Sequence, residues 1–217
     1  MVLIRLVIEF IMLKNPILII FLSLIISCEV NDPNTVHIPN PKVIELHDRA
    51  LKMTILDGHG HGYMNIDSAI ILLDEATRID SLFMPGYINK CQFFLIKKDY
   101  KRLLETNAKI RILKPHQPLW IIQKGFILEL SGKKKKADIE YKKAIKKYEE
   151  IIENESNIPW EFKLDYASSL VWSGDYNKAN DIIISLKKEY PDLNIWKSFK
   201  LPTKKELLTS LKKSSIN

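Results

Sequence analysis

The chain has 217 residues and a formal net charge of +7, with 46% hydrophobic and 27% charged residues, enough apolar material to bury a core and too much for a disordered tail. Its 7 glycines and 10 prolines leave little for turn-dense sandwiches or barrels, and no Gly-rich phosphate loop is present. The 2 cysteines, Cys28 and Cys91, stand outside any CxxC pair, which excludes a disulfide framework and the commonest zinc and redox motifs and leaves an all-α domain held by packing.

Residues 1–27 carry only Arg5, Glu9 and Lys14 as charges and contain the apolar run 16–26. That run is shorter than the roughly 20 apolar residues of a transmembrane helix. Asn15-Pro16 and the polar stretch from Glu29 close it on both sides, so 1–27 reads as a signal peptide. Met12-Leu13-Lys14-Asn15 already makes a basic leader, and translation is expected to begin at Met12; a precursor mass that includes Met1 would exclude this. The run ends in Ile25-Ile26-Ser27-Cys28, which resembles the lipobox of bacterial lipoproteins. The resemblance implies cleavage before Cys28, lipidation of its sulfur, and anchoring in the cell envelope, with the outer membrane facing the periplasm as the expected address. An ordinary signal peptide or an uncleaved anchor with an incidental cysteine is the competing reading. Residues 28–41, with Pro33, Pro39 and Pro41, read as an extended tether, and the folded part is expected from Lys42.

The rest of the chain repeats itself. Ala69, Leu103 and Ala137 are 34 residues apart, as are Ala76, Ile110 and Ala144, and Ser81 and Pro115 mark helix ends at the same interval. A step of 42 leads to Ala179, Leu186 and Pro191, the 8 extra residues falling where 146–155 prolong a helix. Copy 118–151 has Trp120, Ile121, Gly125, Leu128, Gly132, Ala137, Tyr141 and Ala144. Copy 160–193 has Ala167, Leu170, Gly174-Asp175-Tyr176, Ala179 and Pro191, and copy 84–117 has Tyr87, Cys91, Phe94, Asp99-Tyr100, Leu103, Ile110 and Pro115. The first copy, 42–83, fits Leu46, Ala50 and Met53 only with about seven residues, 58–64, inserted at its turn.

This pattern resembles the tetratricopeptide repeat family, built from 34-residue helix hairpins with small residues where the helices cross. The resemblance implies a right-handed superhelical solenoid of about four antiparallel hairpins over 42–193. It puts Cys91 where the family has Gly, Ala or Ser, so a small buried residue is expected there in preference to a reactive thiol. Elementary packing agrees: both helices of each hairpin have apolar residues at three- and four-residue intervals and must bury a face against a neighbour. Residues 194–217 are expected to cap the array. There Ile195, Trp196 and Phe199 form a short helical turn, and Thr203-Lys204-Lys205-Glu206 opens a last helix as a capping box, with Leu207, Leu208 and Leu211 on one side.

In the family the first helices of successive hairpins line a concave groove, and the resemblance places Ile88, Gln92 and Ile96, then Ile122, Phe126 and Glu129, then Leu164, Ser168, Val171 and Trp172 on that wall. The wall is mostly apolar and lacks the Lys, Asn and Arg clamp with which some family members hold a terminal carboxylate. An apolar peptide or helix is the expected occupant, with Phe126 and Trp172 as anchors; alternatively these residues touch the protein's own cap. A second surface is basic. Lys133, Lys134, Lys135, Lys136, Lys142, Lys143, Lys146 and Lys147 give 133–147 a net charge of +6, equal to that of the whole chain from Cys28 onward. This is either a solvated helix face or a contact for anionic lipid or an acidic protein surface; nucleic acid is not an expected partner of a secreted lipoprotein.

No HExxH, GxSxG or Gly-x4-Gly-Lys occurs, so neither catalytic residues nor a cofactor are assigned. Gly58-His59-Gly60-His61-Gly62, with His47, offers too few ligands for a metal site and reads as a mobile turn. The expected function is a non-catalytic scaffold, lipid-anchored in the cell envelope and binding a protein or peptide partner. Alternatives are a component of outer-membrane assembly machinery, a surface lipoprotein that binds metal or ligand through His59 and His61, and a cytoplasmic adaptor whose amino terminus is misread.

Overall fold

Helix starts are written into the sequence as side-chain caps. Asn40, Asn65, Asp99 and Asp175 each accept a backbone N–H of the first helical turn, and Pro41 stands at the first helical position behind Asn40. In the computed structural model, which describes residues 37–54, 65–197 and 199–213, these caps open four of nine α-helices; no strand occurs among the described residues. The signal peptide, either start site, Cys28, most of the tether, His59 and His61 lie outside the described residues.

The chain divides into two compact units, 31–120 and 121–214. The first contains α1 (Pro41–Lys52), α2 (Ile66–Ile79), α3 (Met84–Ile96) and α4 (Tyr100–Leu113), each packed on the next. The second contains α5 (Leu119–Leu130), which starts at the unit boundary, then α6 (Lys134–Asn154), α7 (Trp160–Ser173), α8 (Tyr176–Glu189), a 3₁₀ turn (Asn194–Lys197) and α9 (Lys204–Lys213). There α6 packs on α7 and α7 on α8. No described helix is long and apolar enough to cross a membrane.

The architecture is all-α and repeat-like, and the repetition is sharpest in the turns. The carbonyls of Phe94, Leu128 and Leu170 accept the N–H of Asp99, Lys133 and Asp175 at 2.8, 2.8 and 2.9 Å. The residues just before those donors, Lys98, Gly132 and Gly174, have φ of 55, 79 and 97°. Each turn is thus the left-handed helix termination in which a 6→1 hydrogen bond closes the carbonyl end, and the three recur at the 34- and 42-residue steps of the sequence. Ala69, Leu103, Ala137 and Ala179 are all buried, as are Ala76, Ile110, Ala144 and Leu186.

Departures from the repeat have local causes. Helix α1 ends at Lys52 and α2 begins at Ile66, and Asn65 N–H donates to Met53 O at 3.0 Å; the insertion expected at 58–64 lies outside the described residues. Helix α6 runs for 21 residues against 14 in α4 and α8. Its added turns are held by Tyr148, whose ring lies 5.0 Å from Phe162 and 5.5 Å from Tyr166 of α7. At the crossing of α5 and α6, a Cβ on Gly125 would stand 2.5 Å from the Tyr141 ring, so only glycine allows this approach.

Candidate interaction surfaces

The wall expected from the first helices divides by exposure. On α3, Ile88, Gln92 and Ile96 follow at four-residue spacing and are half-buried, so one stripe of the helix keeps apolar surface in reach of solvent. In the unit 121–214, Ile122, Phe126, Val171 and Trp172 are buried. Phe126 and Trp172 meet edge to face with centroids 4.9 Å apart, and Tyr141 stacks on Trp172 at 6.5 Å. Leu164 is half-buried, and Ser168 turns its hydroxyl inward to donate to the Leu164 carbonyl. The aromatic pair offered as anchors is therefore core in this state, because side chains of the same unit already cover it.

The carboxy-terminal segment takes part in the covering. Leu201, Pro202 and Leu207 are buried, and Tyr176 OH donates to the Leu201 carbonyl at 3.1 Å. Lys204 reaches Glu129 Oε2 at 2.8 Å and stands 4.7 Å from the Tyr141 ring centroid, while Tyr141 OH donates to the same carboxylate oxygen at 2.7 Å. Burial first, and then the Glu129 carboxylate, hold the Tyr141 phenol protonated far above its ordinary range. Helix α9 is fixed at its start by the expected capping box: Glu206 N–H donates to Thr203 Oγ1, and Thr203 N–H donates to Glu206 Oε2 at 2.7 Å.

The basic surface sits on α6. Lys133 to Lys136, Lys142, Lys143 and Lys146 are exposed and Lys147 half-buried. Lys143 lies 3.5 Å from Glu140, and Lys146 and Lys147 lie 3.9 and 3.5 Å from Glu150. Lys133, Lys134, Lys135, Lys136 and Lys142 have no acidic partner among the described residues. Glu140 is buried, and its Oε1 lies 2.9 Å from Lys124 Nζ of α5 as well as near Lys143.

Two groups that a catalytic or metal site could use, Cys91 and His47, are engaged in packing and hydrogen bonding. Cys91 is buried and its thiol is pushed up to about 12, which keeps it protonated and inert. His47 Nε2 pairs with Asn89 Nδ2 at 2.7 Å, and its ring lies edge-on to Phe83. No group of three or more potential metal ligands occurs among the described residues. Tyr148, on the added turns of α6, is fully buried beside Ser169 and Asp165 of α7, an internal polar cluster that joins residues no repeat spacing relates. No family model matches the chain, and neither a curated protein nor a solved structure matches it.

Proposed function

We propose that the protein is a tetratricopeptide-like interaction module, a right-handed solenoid of about four hairpins without chemistry of its own, anchored in the cell envelope through lipid on Cys28. The observation that carries the repeat reading is the hairpin turn recurring at Lys98, Gly132 and Gly174 with the same 6→1 hydrogen bond. Supporting the anchor is the sequence Ile25-Ile26-Ser27-Cys28 behind an apolar run. On this reading the accessible part of the wall is Ile88, Gln92 and Ile96, and an apolar peptide or amphipathic helix is its ligand. In the unit 121–214 the protein's own carboxy-terminal segment stands in for that ligand.

The test places a photo-crosslinking amino acid at Gln92 in the full chain in its own cells, with Ile112 as a control exposed on α4. A defined protein joined at 92 and absent at 112 is the expected result; the same products from both positions would defeat the wall reading. Incorporation of a fatty-acid analogue, lost in Cys28→Ala, tests the anchor separately. Truncating Phe126 and Trp172 would report on core stability and not on docking.

A further inference from the structure

The internal repeat supplies its own control for the lysine surface. Where α4 and α8 begin, Asp99 and Asp175 cap the helix. The position related to them by the same 34- and 42-residue steps is Lys133, which opens α6 with no side-chain cap. A cation that opposes the helix dipole stands where two other hairpins have a capping carboxylate, and three more lysines follow at once. Stability of the hairpin alone gives no reason for this difference.

The surface thus formed is extended and predominantly positive, with Asp138 half-buried within it and the exposed Glu150 beside Lys146 and Lys147 at its far end. Lys135, Ile139, Lys142 and Lys146 follow at four-, three- and four-residue steps and share one exposed face of α6, with Lys136 and Lys143 beside them. Ile139 is 53% exposed in the middle of these cations. All eight cations of 133–147 are lysines. Arginine is the residue that grips single carboxylates through two parallel hydrogen bonds, whereas flexible ammonium groups suit a diffuse negative surface. An exposed aliphatic side chain ringed by lysines adds a group that can enter the headgroup boundary.

We infer that this face of α6 is a contact surface for an anionic lipid bilayer. It goes beyond the interaction-module reading and does not require lipid on Cys28. The ammonium groups attract acidic headgroups, and Ile139 enters the interface once the helix lies along it.

The test uses the full chain with Cys28→Ser and Ile139→Cys, labelled with an environment-sensitive fluorophore; Cys91, buried and protonated, is spared. The probe is read on vesicles of neutral phosphatidylcholine and on vesicles that also contain anionic phosphatidylglycerol. Residues 1–36 are common to every sample, so attachment through them is cancelled in the comparison. A blue shift on anionic vesicles alone, reversed in about 1 M salt where the screening length falls to about 3 Å, is the expected result. Replacing Lys133, Lys134, Lys135, Lys136 and Lys142 by Gln, all exposed and in a good helix former, should abolish the shift and lower the anionic preference in partitioning at least about tenfold, with helix content unchanged by circular dichroism. Equal emission on both vesicles, or a shift that survives the five substitutions, overturns the proposal. Binding of polyglutamate without a response to anionic vesicles overturns it in favour of an acidic protein.

Discussion

Gly125 meets the Tyr141 ring closely enough to decide between two opposing effects. Alanine in place of a helical glycine is worth up to about 1 kcal/mol of propensity, whereas a methyl group forced against a fixed ring costs about 1 to 3 kcal/mol. Tyr141 is held by Glu129 and by the stacked Trp172 and cannot yield, so Gly125→Ala should lower stability in denaturant unfolding despite the better helix former. His47 illustrates the same weighing in protonation. Burial pushes its imidazole below the ordinary value, and Asp48 offsets this only in part. A folded-state pKa below the unfolded one means that the neutral ring stabilises the fold: the contribution is complete above the unfolded value of about 6.5 and is lost as pH falls below it. Stability measured from pH 7 down to pH 5 should therefore fall, and His47→Gln should flatten that part of the curve. Asp80 acts in a lower window. Burial works to raise it, but hydrogen bonds from His37 and from Leu82 N–H hold it below the usual carboxylate range, so its contribution persists above that range and disappears only in acid.

The hairpin turn makes one position carry opposite predictions in different copies. Gly132 and Gly174 adopt φ of 79 and 97° without cost, whereas Lys98 adopts 55° with a Cβ in the way. Gly132→Ala and Gly174→Ala should each destabilise by about 1 kcal/mol, and Lys98→Gly should stabilise by a few tenths of a kcal/mol to about 1, read from the shift in urea midpoint at constant slope. Equal effects of one sign at all three would show that the turns are not equivalent. The element scale was also where the sequence was most legible. Spacings of 34 and 42 located these turns, and the extra residues of the longer step lengthened α6 because Tyr148 supplies an apolar partner for α7. The length of an insertion such as that between α1 and α2 is not legible in the same way, because a period reports the spacing of repeated elements and not how many residues stand between two of them.

Within the unit 121–214, what a period cannot report is cover. Spacing identifies Phe126 and Trp172 as one apolar face but not what lies over it, and the segment that contributes, 201–207, stands outside the repeat and reaches Glu129 across 75 residues of chain. The Lys204 and Glu129 side chains are 23% and 10% exposed, dry enough for the pair to exceed the median surface ion pair and to resist salt. A double-mutant cycle of Lys204→Ala and Glu129→Gln in the full chain measures the contact directly, since the Tyr141 hydroxyl keeps an acceptor at position 129 in each single substitution. A coupling of about 1 kcal/mol that persists in high salt is expected for a segment that stays down. A coupling within the roughly 0.3 to 0.5 kcal/mol of independent sites would mean that the segment leaves the wall in solution, and the face containing Phe126 and Trp172 would then be accessible to another chain.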